Sequence, residues 1–347
     1  MDAPNHAAAS AASATPAASS TSSARGIPGL VLRPYRGPED HPAMVEINNR
    51  ARAAAGSPDR QTVAGLDVAY ANSTGCDPRR DALVTELDGR PVAYGRTIVS
   101  IDRDAERIAD IVFFVAPDAP AATGPLLAAL EARHRERAAD LRAGVPLILQ
   151  TFALDGDAAG AAAIRDAGYR PIRTGYLMIR PDLEDVPNLP LPDGLEIRPV
   201  EEGHLRAIWE AEVEAFRDHW GAQSDPSEES WRRFLDDPTN DTSLWRIAWA
   251  GDQVAGQVRS FVSEEENATL GVRRGWTESI SVRRPWRRRG LASALLAASL
   301  RALREGGYTS AALGVDAQNE SGALRIYERL GFRVATVDTI YRKVETR

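Results

Sequence analysis

The chain has 347 residues, 43 % hydrophobic and 26 % charged, which is ordinary for a folded globular protein and long enough for two domains. Its 49 acidic against 42 Lys and Arg residues give a formal charge of −7, which argues against a general nucleic-acid binder; no run of about 18 apolar residues suggests a membrane span. The single cysteine, Cys76, excludes an intramolecular disulfide framework and makes a reducing cytoplasm the expected compartment.

Residues 1–27 form an opening tail. From Ala7 to Ala24 only Ala, Ser, Thr and one Pro occur, so no large apolar side chain offsets the entropy of ordering it, and disorder is expected. A secretory signal would need a basic start and a Leu- or Val-rich centre, and a transit peptide would need more arginine than Arg25 supplies.

Residues 28–181 read as a first folded unit. Leu30-Val31-Leu32-Arg33-Pro34 alternates as a strand that a proline stops. A hairpin turns at Asp88-Gly89 between Ala82–Glu86 and Pro91–Ile98, and Ala167-Gly168-Tyr169 reads as a helix stop before an aromatic that begins a strand. Residues 182–194, with prolines at 187, 190 and 192, have the composition of an extended linker.

Residues 195–347 repeat these landmarks in order. Leu195-Glu196-Ile197-Arg198-Pro199 matches the first strand, Gly251-Asp252 the hairpin, and Leu330-Gly331-Phe332 the helix stop. Helices are expected near Glu202–His219, Ser227–Asp236, Gly290–Glu305 and Glu320–Leu330. Strands are expected near Leu195–Val200, Leu244–Ala250, Gln253–Val262, Trp276–Val282, Ala311–Val315 and Phe332–Val344. Each copy should end on a strand pair, giving an α/β protein with a mixed sheet present twice.

Within the second unit, strand-like Thr277–Val282 leads into Arg287-Arg288-Arg289-Gly290-Leu291-Ala292. A helix follows, with Leu291, Leu295, Leu296, Leu300 and Leu303 on one face. Unpaired N–H groups and the positive end of a helix dipole at such a loop suit a phosphate or pyrophosphate. Farther on, Asn319, Ala323, Tyr327 and Gly331 stand four residues apart, near one face of a single helix.

These two motifs resemble those of the GCN5-related N-acetyltransferases, whose pyrophosphate loop reads Arg or Gln, two residues, Gly, one residue, then Gly or Ala. The resemblance covers roughly Leu195 to Arg347 and implies two tandem acyltransferase-like domains, each a twisted mixed sheet flanked by helices. The tandem arrangement is similar to that of the mycothiol synthase family, in which one of two units does the chemistry. In the first copy the loop position holds Ala121-Ala122-Thr123-Gly124-Pro125-Leu126, without the leading Arg and with a proline that lacks an N–H. Ile164 stands where the second copy has Tyr327, so the first copy is expected to be degenerate, a structural partner.

The resemblance implies acetyl-CoA as acyl donor, with no metal, and a primary amine as acceptor. Arg287, Arg288, Arg289, Gly290, Leu291, Ala292 and Asn319 would serve the coenzyme, and the backbone at Ile280 and Val282 would pair with its pantetheine arm as an added strand. Arg283 and Arg284 belong to the same basic run, of which about two should face solvent, as surface arginines do. An amine attacking a thioester needs a base, oxyanion stabilisation and an acid for the departing thiolate. Tyr327 is the candidate acid, against a reading as core packing alone. Glu278 is the candidate base, directly or through a water, on the same side of its strand as Ile280 and Val282; a surface glutamate at a strand start is the competing explanation. Glu214, His219 and Trp220 are the contenders for acceptor binding, against a capped helix end with a packed tryptophan. The expected function is acetyl transfer to a small-molecule amine by direct attack in a ternary complex. The alternatives are a coenzyme A-sensing or interaction module without turnover, or acylation of a protein or peptide amine. No nucleic-acid or membrane partner is expected, and the assembly is expected to be a monomer or homodimer.

Overall fold

The computed structural model describes residues 22–23, 27–71, 75–101, 107–138, 146–217, 220, 225–237, 239–319 and 322–346. Most of the tail expected to be disordered lies outside that set, but Ser22–Ser23 (β1) pair with the next strand. The first half continues with β2 (Leu30–Pro34), α1 (His41–Ala54), α2 (Val63–Ala71), α3 (Pro78–Asp81), β3 (Ala82–Leu87), β4 (Arg90–Ile101) and β5 (Arg107–Val115). It closes with α4 (Thr123–Arg137), β6 (Leu147–Leu154), α5 (Ala158–Asp166) and β7 (Arg170–Arg180). The second half runs β8 (Glu196–Arg198), α6 (Leu205–Phe216), α7 (Glu228–Asp236), β9 (Arg246–Ala250), β10 (Gln253–Phe261) and α8 (Glu264–Leu270). After these come β11 (Arg274–Val282), α9 (Leu291–Glu305), β12 (Ser310–Asp316), α10 (Ala323–Arg329) and β13 (Arg333–Glu345).

The expected elements are present with shifted ends. Residues expected to open the helix at Glu202 form a 3-10 turn, and the α-helix proper is Leu205–Phe216. The last helix begins at Ala323 rather than Glu320, after Gly322 at φ 77°. Helix α8 was not anticipated; its sequence is short and polar, and it is started by Ser263, whose hydroxyl accepts from the Glu266 N–H. The expected final strand pair is a single long strand in each half.

The sheet crosses the boundary between the halves. Its 13 strands run β1-β2-β3-β4-β5-β6-β13-β7-β12-β11-β10-β9-β8. Thus β13, the end of the chain, lies between β6 and β7, while β7 lies between β13 and β12. Each half completes its sheet with the other's last strand. Burial follows the exchange: Tyr341 of β13 is 2 % exposed in the first core, with Leu126, Leu130 and Ile164, and Met178 of β7 is fully buried in the second, with Leu295 and Leu300. Burying such a side chain is worth roughly 1.5–3 kcal/mol, so the exchange is held by apolar packing as well as by ladders.

The proline-rich segment after β7 has no regular structure but is docked. Leu183 is buried in the second core, and Arg301 and Arg304 of α9 donate to the Pro187 and Glu184 carbonyls. In both halves the strand before the helix that carries the core leucines pairs in parallel with the next strand only at its start. Ile108–Asp110 meet Ile148–Gln150, and Arg274–Trp276 meet Ser310–Ala312. Beyond those residues the ladders stop, leaving a V-shaped gap in the sheet. Among the described residues no helix is long and apolar enough to cross a membrane.

Candidate active site

One side of the second gap opens on a cleft of about 670 Å3, and the anion loop forms its wall. Helix α9 starts from Gly290 at φ 84°, and Arg288 is also left-handed at φ 60°. Gly290 has open space around its α-carbon, so the backbone turn, and not a steric neighbour, demands glycine there. The Ala294 N–H returns to the Gly290 carbonyl, so the preceding N–H groups of Leu291, Ala292 and Ser293 belong to the first turn, which has no intrahelical acceptors for them. Those three residues line the cleft with Arg287 and Arg288.

The basic run divides its work. Arg287 donates to the Val282 and Ala215 carbonyls at 2.9 and 3.2 Å and still lines the cleft. Arg289 reaches away, to the Asp193 carbonyl at 3.2 Å, and is not among the lining residues. Arg283 is paired with Glu214 at 2.7 Å, so that carboxylate is committed to tying α6 to the end of β11. Trp220 lines the cleft under the Arg173 guanidinium, 4.7 Å from its ring centre. His219 lies outside the described residues.

Strand β11 is irregular where it meets the cleft. Gln257 stands opposite Ser281 and Arg259 opposite Glu278, so Val258 alone faces two residues, Ser279 and Ile280. This is a β-bulge, and Ser279 sits in it at φ 48°, a conformation costing a non-glycine residue roughly 1–2 kcal/mol. The extra residue changes the parity of the strand. Glu278 shares the face of Ser281 and Arg259, whereas Ile280 and Val282 pack against the α9 core on the opposite face. The expectation that Glu278 lies on the same side as Ile280 and Val282 is therefore corrected; plain alternation cannot foresee a bulge. Ile280, Ser281 and Val282 all line the cleft.

Glu278 and Tyr327 are close enough to act on one another electrically. Tyr327 is 6 % exposed, lines the cleft and meets the Phe332 ring edge-on at 6.2 Å. Burial, and then the neighbouring Glu278 charge, push its phenol well above the ordinary range, which keeps it protonated. Burial also pushes the Glu278 carboxyl up to about 7; Arg259 pulls it down and Glu212 pushes it further up. Glu278, unlike Tyr327, is not among the residues that line the cleft; a buried phenol that stays protonated and a carboxyl raised toward neutrality are the kinds of group that proton transfer uses.

Asn319 joins the cleft at the end of β12, beside Gln318 and Asp316. Sequence reasoning missed Asp316 and its partner Arg173, whose Nη2 lies 2.5 Å from the carboxylate. Arg173 comes from β7, in the first half, and no local signal links it to a cleft otherwise lined by residues between 215 and 327; only the strand exchange brings it there.

A model of the acetyltransferase (GNAT) family matches residues 205–332, the span that carries the lining of this cleft apart from Arg173. A mycothiol acetyltransferase of Salinispora arenicola is 30 % identical over 290 residues, covering 79 % of this chain and 90 % of that protein. The chain belongs to the GNAT acetyltransferase family. A second mycothiol acetyltransferase, from Thermobispora bispora, is 33 % identical over 192 residues, which span 53 % of this chain and 62 % of that relative's length. Among solved structures, a GCN5-related N-acetyltransferase from Sphaerobacter thermophilus shares the fold at a TM-score of 0.73 and 24 % identity, over 92 % of this chain and 96 % of that one. A tandem GNAT protein of the clavulanic acid biosynthesis pathway shares it at 0.65 and 14 % identity, over 91 % and 98 %. The two-fold repetition seen in the sequence is thus an architecture found elsewhere in the family.

Proposed function

We propose that the second-half cleft transfers an acetyl group from acetyl-CoA to the primary amine of a small molecule, by direct attack in a ternary complex. The observation that carries this reading is that the left-handed loop at Arg288 and Gly290 opens on the same cleft as Tyr327. First-turn N–H groups of α9 and the Arg287 and Arg288 guanidiniums suit the pyrophosphate and 3′-phosphate of coenzyme A. The β11 backbone at Ile280 and Val282, past the point where its ladder with β12 ends, suits the pantetheine arm. Asn319 lines the same cleft as Tyr327.

In this mechanism Glu278, ionised above about pH 7, takes a proton from the acceptor ammonium directly or through a water. The amine nitrogen forms its bond to the thioester carbonyl carbon, the C–S bond breaks and the Tyr327 phenol gives its proton to the departing sulfur; the second proton of the attacking nitrogen restores the phenol, and Glu278 releases its proton to solvent. The relatives called mycothiol acetyltransferase support a small-molecule acceptor, and Trp220 at the cleft wall is the described candidate to meet it. The cytoplasm is the proposed compartment, on the single cysteine. Thiol release from acetyl-CoA across a panel of amines tests the proposal. Amine-dependent release that is lost in Glu278→Gln supports it; coenzyme binding with no release for any amine makes the chain a sensing module.

A further inference from the structure

Behind Glu278, away from the coenzyme loop, stands an arginine that no expectation from the sequence included. Arg259 of β10 is the cross-strand neighbour of Glu278. One of its terminal nitrogens, Nη2, donates to both Glu212 oxygens, at 2.7 and 2.6 Å, and to the Ser279 hydroxyl at 2.8 Å. Its guanidinium is packed against the Phe234 and Trp245 rings, with centroids at 4.9 and 5.1 Å, and its Nε is buried without a hydrogen-bond partner. Only about a sixth of the Arg259 and Glu212 side chains is exposed, at 16 and 18 %. A charge this enclosed has few alternative positions, so the hydroxyl it holds is held firmly.

That hydroxyl belongs to the left-handed residue of the bulge. Without a tether, a serine at φ 48° would gain by relaxing to ordinary strand geometry, and the parity change that sends Glu278 to the Arg259 face would be lost. We propose that Arg259, clamped by Glu212, is a positioning residue for acyl transfer: it holds the Ser279 bulge and thereby aims the Glu278 carboxylate. The proposal rests on the reading of Glu278 as the base. The charged and titratable groups facing Glu278 come from three elements, Arg259 on β10, Glu212 on α6 and Tyr327 on α10. Arg259 favours the carboxylate and Glu212 opposes it.

The test is the pH dependence of kcat/KM for acetyl transfer. Glu278→Gln should abolish the acid limb; a limb that survives overturns the base reading and the proposal with it, whereas the Glu212, Arg259 and Ser279 variants test the proposal alone. With that limb assigned, Glu212→Gln should move its midpoint down and Arg259→Met should move it up, each by roughly one pH unit, as for a neighbouring charge gained or lost. Arg259→Met should also lower kcat by roughly 10- to 100-fold, with the KM for acetyl-CoA unchanged, because only the proton-transfer geometry is disturbed. Should Arg259→Met fail to fold, Arg259→Lys serves: it keeps the charge without the fork and should hold the midpoint while lowering kcat. Ser279→Ala should lower kcat in the same manner, with no shift in the limb. Midpoints that stay put in both Glu212→Gln and the Arg259 variant, or that move the same way, reduce the cluster to a brace between α6 and the sheet.

Discussion

Strand β5 in the first half runs beside β4 in unbroken register from Ala93 opposite Val115 to Ile101 opposite Arg107, whereas its counterpart β11 takes in one extra residue at Ser279. The same contrast recurs at the helix that follows. Ala122, before α4, has an ordinary helical φ of −73°, and Gly290, before α9, has φ 84°. The last helices are matched bond for bond: the Tyr169 N–H donates to the Ile164 carbonyl as the Phe332 N–H donates to Tyr327. Yet one position carries an alkyl group and the other a phenol. Among the described residues the first half shows neither a bulge in the matching strand nor a left-handed residue before its helix, so the irregular geometry belongs to the half that carries the proposed site.

The sharpest way to break this comparison is to exchange the side chains. Tyr327→Phe should slow acetyl transfer by roughly 10²–10⁴-fold, with coenzyme affinity little changed, as measured by thiol release and calorimetry. Ile164→Tyr should add nothing to the rate, since its half has neither bulge nor left-handed loop; a second active site would refute the contrast. Met178→Ala, in the exchanged strand, should cost about 2–5 kcal/mol in urea unfolding. All 7 tryptophans lie at or beyond Trp209, so fluorescence reports the second half alone, and circular dichroism the whole. Coincident transitions would show that the exchange makes the halves unfold together, and two separate ones would show that it does not.

Gly290→Val should weaken coenzyme binding by roughly tenfold, because a β-branched residue at that φ costs about 1–2 kcal/mol. Gly124, which the motif alignment sets opposite Gly290, lies inside α4 two residues past Ala122, so the same change there should leave binding unaltered, and Gly124→Ala should stabilise the fold by roughly 0.5–1 kcal/mol. The titration of Glu278 supplies a smaller effect. Its folded value is raised from 4.5 to about 7, so above pH 4.5 the unfolded chain ionises while the folded one holds its proton. Stability is therefore lost progressively as pH rises through that window. Glu278→Gln should raise the melting temperature at pH 8 and leave it unchanged at pH 4.

Much of this was legible in the sequence because it is written locally. The Arg287–Ala292 loop and the leucine face of α9 depend on neighbours within one or two turns, but the four-residue spacing read as one helix face holds only for Ala323 and Tyr327, since α10 spans Ala323–Arg329 and Asn319 precedes it. The repeat also announced itself through its stops and hairpins. What stayed hidden depends on partners far along the chain. Nothing in Thr277–Val282 signals a bulge, since Ser279 has no special propensity for a left-handed φ and is held there by Arg259, 20 residues earlier. Glu214 reads as a free acid until Arg283, 69 residues later, is brought beside it. The alternation that fixes β7 and β13 as strands says nothing of which neighbour each will choose, so the entry of Arg173 into the cleft could not be read.

The exchanged strands also set an order of events during synthesis. Strand β6 finds its antiparallel partner only in residues 333–345, so a nascent chain that has finished the first half still carries an open sheet edge. That edge stays exposed until residues 333–345 have left the ribosome, at about 5–20 residues per second. Cutting the gene at the proline-rich segment would leave each fragment carrying the strand that completes the other. Separate expression should therefore give sticky, incomplete sheets, and co-expression of the two fragments should restore a soluble pair.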